Sequence, residues 1–235
     1  MRAHFTSTDR DRISEALLRI LDSYNSIEVE GPLDAAKIPA GEFQLIENFK
    51  LAYAARFAPY LTNSYHRRLD ANLRHVGKEV YFYAHEHTNE HTNLAGVVRL
   101  RSRPFEWESL LPEMGHYAES FKDCAEFSRL MVEPTLRGLR VGQILIGTAA
   151  LWALDAGHEG VLALCRTGTY KVFQQYGLSA LGEGPVRVPE RENGDYHLMH
   201  GTWSFIAQRK GVSLGMLASN DALIPRDSLC PSSPN

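Results

Sequence analysis

The chain has 235 residues, 44% of them hydrophobic, and a formal net charge of −3 from 25 basic and 28 acidic side chains. That length can enclose a real core, one α/β domain with additions, and the near balance of charge supplies no field that would draw the chain to nucleic acid. Cys124, Cys165 and Cys230 are widely spaced without a C-x-x-C pair, which argues against zinc or a redox couple and for a reduced, cytoplasmic setting; no run reaches the roughly 20 apolar residues of a membrane span.

The opening MRAHFTSTDRDR runs into charge with no apolar signal core. Asp9 to Tyr24 then repeats apolar residues at helical spacing and predicts an amphipathic helix. Gly31, Pro32, Pro39 and Gly41 punctuate 26–41 densely, so this stretch reads as a linker or a short strand. Glu42 to Ala58 predicts a second helix, stopped by Pro59, and Asn63 to Arg74 a polar, basic helix or loop on the surface. Lys78–Ala84 and Leu94–Arg101 are rich in β-branched and aromatic residues and read as a hairpin about the polar HEHTNEHTN. Cys124–Val132 predicts a third strand, Leu139–Asp155 a long apolar helix, Gly160–Leu164 a short strand, Thr169–Tyr176 a helix and Asp195–Met199 a last strand. The outline is a mixed α/β sheet, mainly antiparallel and flanked by helices. Its divisions are 1–41 as N-terminal helix and linker, 42–205 as the main domain, and 206–235 as a partly disordered extension.

The most informative segment is EFSRLMVEPTLRGLRVGQILIG, in which a strand ends at Val132, Pro134 breaks it and a basic, glycine-containing turn opens a helix. A helix start offers unpaired N–H groups and the positive end of a dipole, so it suits an anion. Gly138 and Gly142 let backbone approach closely, and Arg137 and Arg140 add charge, which fits a diphosphate or a phosphopantetheine phosphate. Neither G-x-x-x-x-G-K-[ST] nor G-x-G-x-x-G is present.

R-G-L-R-V-G after a strand and a proline turn resembles the [QR]-x-x-G-x-[GA] donor loop of the GNAT N-acyltransferases, matching Arg137 and Gly142 but with Arg140 where the middle glycine is usual. E-F-S-R-L at Glu126–Leu130 is similar to the E-x-S-R-[FL] strand of acyl-homoserine-lactone synthases and long-chain N-acyl amino acid synthases. The resemblance covers about Ala52 to Gly182. It implies a GNAT-like domain at 42–205 that carries no permanently bound cofactor and takes acyl-CoA, or acyl carrier protein through its phosphopantetheine, as co-substrate. The donor would lie on Met131 and Val132 of the strand and on Arg137, Gly138, Leu139, Arg140, Val141, Gly142 and Gln143; the acceptor would be a small-molecule amine, an amino acid or a peptide side chain. An acetyl-CoA-dependent N-acetyltransferase and a non-catalytic acyl-thioester sensor are the competing readings.

An amine near pKa 10.4 must lose a proton before it attacks, and Glu126, on the strand before the loop, is the expected base, with a salt bridge to an arginine as its other reading. In an unbroken strand Glu126 and Ser128 face one way and Arg129 the other, unless a bulge intervenes. Arg99, Arg101 and Arg129 sit in strands built for burial and need anionic partners, and one of them, with Ser128, could grip the acceptor. The relatives carry a functional arginine on the preceding strand, in the region of Arg99 and Arg101. Phe173 stands where many GNAT enzymes have the tyrosine that protonates the departing thiolate, so Tyr170 takes that role or the thiolate leaves without a protein acid. Core packing is the other reading of these aromatics. His85, His87 and His91 fall in the predicted turn and are not read as a metal site, and Cys165 reads as a core residue. Tyr81 and Tyr83 share a face that suits either core or acyl pocket.

Overall fold

The structure, a computed structural model, describes residues 7–21, 27–74, 78–87, 92–191 and 194–209. The end of the hairpin turn with His91, residues 192–193 and the tail with Cys230 lie outside the described residues, as do the side chains of Arg137 and Leu139. Eight strands among the described residues make one sheet: β1 (Ile27–Asp34), β2 (Glu79–His87), β3 (Thr92–Arg101), β4 (Ala125–Val132), β5 (Gly160–Arg166), β6 (Ser179–Ala180), β7 (Val186–Arg187) and β8 (Asp195–Thr202). The order is β1-β2-β3-β4-β5-β8-β6, with β7 also on β8, and only β4 and β5 pair in parallel. This is the mixed, mainly antiparallel α/β sheet that the alternation of elements predicts.

The helices are α1 (Ser7–Leu21), α2 (Ala40–Phe57), α3 (Ser64–Arg74), α4 (Glu106–Leu110), α5 (Val141–Asp155), α6 (Thr167–Gln175) and α7 (Trp203–Arg209). α5 is apolar on nearly every side, so it must be enclosed. It packs Val141, Ile144, Leu145 and Ala149 with Val80, Phe82, Val98 and Leu100 of the sheet, and Ile13 of α1 and Trp203 of α7 close over the same cluster. Ile46 and Ala54 of α2 cover the opposite face, against Tyr81, Tyr83, Val97 and Met131. Alternation along β2 thus sends Phe82 to one core and Tyr81 and Tyr83 to the other.

Two stretches that the sequence left open are settled by packing. The punctuated stretch after α1 holds an edge strand, because Gly31 and Pro32 fall in a register shift between Glu30 and Leu33, where a strand at the sheet edge tolerates proline. A Cβ at Gly31 would lie 2.7 Å from the Tyr81 carbonyl, so only glycine fits there. The stretch between β3 and β4, without a clear period in sequence, folds as α4 and a 3₁₀ segment at Pro112–Phe121, and buries Phe105, Trp107, Leu110 and Leu111. That packing places Glu106 beneath β4.

Candidate active site

β4 and β5 pair at Ala125↔Val161, Glu126↔Leu162 and Phe127↔Ala163, yet β4 runs on to Val132 and β5 to Arg166. Beyond Phe127 the two strands therefore part, and the opening is a cleft of about 160 Å³ lined by Tyr53, Tyr60, Glu126, Ser128, Arg129, Arg166, Phe173, Arg191 and Tyr196. Tyr53, Leu130, Thr169 and Phe173 also line a second cavity of about 120 Å³ that reaches Arg140, Gly142 and Gln143 at the start of α5. The predicted phosphate site and the strand opening thus adjoin across shared walls.

A bulge in β4 shapes this opening. Val97 pairs with Met131 and Arg99 with Ser128, so two steps on β3 oppose three on β4. Arg129 takes up the extra residue at φ 53°, a left-handed conformation unusual for a side chain of its size. It is held there by Asp70 of α3 at 2.7 Å and Glu106 of α4 at 3.1 Å. The bulge cancels the alternation of an unbroken strand, and Glu126 and Arg129 line the same cleft.

Glu126 is 1% exposed and holds the start of α4: its carboxylate accepts the backbone N–H of Glu106 at 2.5 Å and that of Trp107 at 3.2 Å. Burial, with the neighbouring Glu106 charge, raises its pKa to about 7. A helix start and two backbone donors therefore hold this carboxyl, where an arginine salt bridge was the other expectation. Glu106 is the acid that takes the arginines, Arg99, Arg129 and Arg191 all ending on it. Burial would raise its carboxyl, but Arg129, Arg99 and Arg191 outweigh that and hold it down at about 2. Asp70 is treated alike: burial opposes its charge, and Arg129, Arg99 and Lys50 keep it well below the carboxylate range.

Residues 45–178 match the model of the acetyltransferase (GNAT) family, more than half of the chain. The chain belongs to the GNAT family. No curated protein matches. Among solved structures the fold is similar to FeeM, an N-acyl amino acid synthase from uncultured soil microbes (TM-score 0.56, 11% identity, 77% of this chain and 92% of that one). It is similar to the AHL synthase LasI (0.52, 11%, 77% and 93%) and to an acyl-CoA N-acyltransferase from Pseudomonas aeruginosa (0.53, 14%, 74% and 99%). At these identities the likeness is one of fold. GNAT enzymes use acyl-CoA as co-substrate and need no permanent cofactor.

The GNAT donor loop departs from its usual pattern at Arg140, and the backbone says what that position demands. Arg140 caps α5 at φ 55°, ψ 24°, the left-handed region glycine enters freely. Its carbonyl accepts from the N–H of Gln143 and of Ile144, which closes the first turn, and Tyr176 Oη donates to the Gln143 carbonyl at 2.8 Å. The N–H groups of Val141 and Gly142 have no carbonyl a turn earlier in the helix to reach. Met131 is buried in the α2-side core, while Val132, Gly142 and Gln143 line the second cavity.

Other expected site residues fall elsewhere. Arg99 and Arg101 are 2% and 1% exposed and do not line the cleft: Arg99 meets Asp70, Glu79 and Glu106, and Arg101 meets Glu79 at 3.4 Å. Ser128 lines the cleft, and its hydroxyl takes Arg99 Nε at 2.9 Å. Tyr170 is turned away from the opening, its ring 4.6 Å from that of His197 and its hydroxyl accepting from Gln174 at 2.7 Å; Phe173 occupies the cleft wall instead. Cys165 lines the cleft with its thiol pushed up to about 12 by burial, which keeps it from acting as a nucleophile. His85 and His87 lie on β2 beside Glu30 and Glu28 of β1. Sequence reasoning did not find Asp70, Glu106, Arg166 and Arg191. Of these only Arg166 gave a visible signal, a charge closing the apolar run GVLALC.

Proposed function

We propose that the chain transfers an acyl group from a thioester of coenzyme A or of an acyl carrier protein to the amine of an amino acid, an amino-acid-like molecule or a peptide side chain. The observation that carries this reading is the pair of adjoining cavities between the start of α5 and the parted strands β4 and β5, with Glu126 in the wall of the strand cleft. The donor's phosphates sit on the backbone that opens α5, with Arg140 adding charge, and its thioester arm runs past Val132 and Leu130. Strand N–H groups near Met131, released from β5 by the opening, polarise the thioester carbonyl.

The amine attacks the carbonyl carbon, the N–C bond forms, the C–S bond breaks and the thiolate departs. Glu126 takes the ammonium proton through water, and its raised pKa suits that task near neutral pH. The thiolate takes its proton from solvent. Phe57, Leu130 and Phe173 give the acyl chain an apolar wall.

Incubating the chain with acyl-CoA and acyl-carrier-protein donors of two to sixteen carbons and a panel of amines, and following free thiol and N-acyl product by mass spectrometry, tests the reading. Thiol release matched by product supports it, and the donor series separates acetyl from long-chain transfer. No product from any pair refutes it.

A further inference from the structure

Three guanidiniums line the cleft, those of Arg129, Arg166 and Arg191, against the two carboxyls of Glu106 and Glu126. Arg129 and Arg191 end on Glu106, which also takes Arg99 from behind the cleft, where Arg99 meets Glu79 too, and Arg99 and Arg129 share Asp70 with Lys50. The Nε atoms of Arg129 and Arg191 are buried and make no hydrogen bond among the described residues. Across the opening, at the end of β5, half-buried Arg166 donates from Nε to Tyr196 Oη at 3.1 Å and has no carboxylate partner among the described residues. Its guanidinium lies 5.5 Å from the Tyr60 ring and 5.9 Å from the Tyr196 ring, and that of Arg191 lies 5.3 and 5.2 Å from the same two rings.

Two cations held against one pair of aromatic rings, one of them nine-tenths buried with an unused donor, make a site built for an anion. Tyr60 does not supply it, since burial pushes its phenol up and keeps it neutral. Donor phosphates do not reach it either, because Arg166, Arg191, Tyr60 and Tyr196 line only the strand cleft, while the cavity at the start of α5 ends on Arg140. A guanidinium fork matches a carboxylate in shape and charge.

We propose that Arg166, with Arg191 beside it, anchors the carboxylate of the acceptor, so that the acceptor is a free amino acid or a close relative presented amine-first to the parted strands. This rests on the transfer reading above and names its acceptor class. The anchor can be read without turnover, by calorimetric titration of the full chain with N-decanoyl-L-leucine, N-decanoyl-L-phenylalanine and their methyl esters. At least one free acid binds about tenfold more tightly than its ester, the scale of a lost charge-assisted pair. Arg166→Met brings that preference below about twofold and leaves ester binding unchanged, while Arg166→Lys, which keeps the charge and loses the fork, retains part of it. Equal binding of acid and ester, binding of neither, or a preference that survives Arg166→Met overturns the proposal. In turnover, Arg166→Met raises KM for amino acids and not for their amides; a raised KM for the donor instead also overturns it. Acid preference that depends on Arg166 without any thiol release supports the anchor and removes only the transfer reading.

Discussion

Replacing Glu126 by glutamine separates its two roles, holding α4 and moving a proton. The carboxylate accepts two backbone N–H groups, from Glu106 and Trp107; the amide offers one oxygen, so one donor loses its acceptor, at about 1–2 kcal/mol. Against this stands the titration. An unfolded glutamic acid titrates near 4.5, and in the fold Glu126 is pushed up to about 7, because burial and the Glu106 charge disfavour its ionised form. A folded pKa above the unfolded one contributes stability that is complete below about 4.5 and lost as pH rises through 7, on the order of 3 kcal/mol for a gap of this size. Glutamine has no such dependence. The stability of Glu126→Gln relative to the natural chain should therefore improve with pH, from a deficit at pH 5 to parity or a gain at pH 8. Urea denaturation of both chains at half-unit intervals measures that difference, in which the titration of groups outside this cluster cancels. A difference that stays flat with pH refutes the raised pKa. Turnover of the variant should fall by about 10²- to 10⁴-fold and lose its rising limb near neutrality; unchanged turnover would leave Glu126 a helix cap alone.

Arg140→Gly should relieve the left-handed backbone at the start of α5, by about 1 kcal/mol or a Tm rise of roughly 2–4 °C, while weakening acyl-CoA binding about tenfold or more. A lower Tm or full affinity by calorimetry contradicts this. Glu106→Gln leaves Arg99, Arg129 and Arg191 facing a neutral amide and should cost about 3–5 kcal/mol in urea unfolding; a loss under about 1 kcal/mol would mean that water already serves these guanidiniums. Tyr170→Phe should change kcat less than about twofold, since the hydroxyl faces Gln174 and not the cleft, and a larger fall would restore it as the proton donor.

Much of the fold was legible because its signals are local. The helical spacing before Tyr24, the proline that stops α2, and the apolar run of α5 each report on a window of a dozen residues. The strand of Glu126 and the helix start after Pro134 were legible for the same reason, since a strand, a proline turn and a helix start form one contiguous segment. The burial of Arg99 and Arg101 also implied acidic partners before any partner could be named. The turn between β3 and β4 was not legible, because short helices without a sustained period bury their aromatic residues only against distant elements.

By itself, then, the sequence determined the α/β class and most of the sheet's elements, whose signals act within a few residues of each other. Only the tertiary structure decided what surrounds the parted strands. The bulge at Arg129 depends on β3 pairing two residues against three, and the cluster joins Asp70 to Arg129 across 59 positions and Arg191 to Glu106 across 85. Such pairings form only when separate elements pack and water leaves, so of the arginines that read as strand charges Arg129 lines the cleft while Arg99 and Arg101 lie buried behind it.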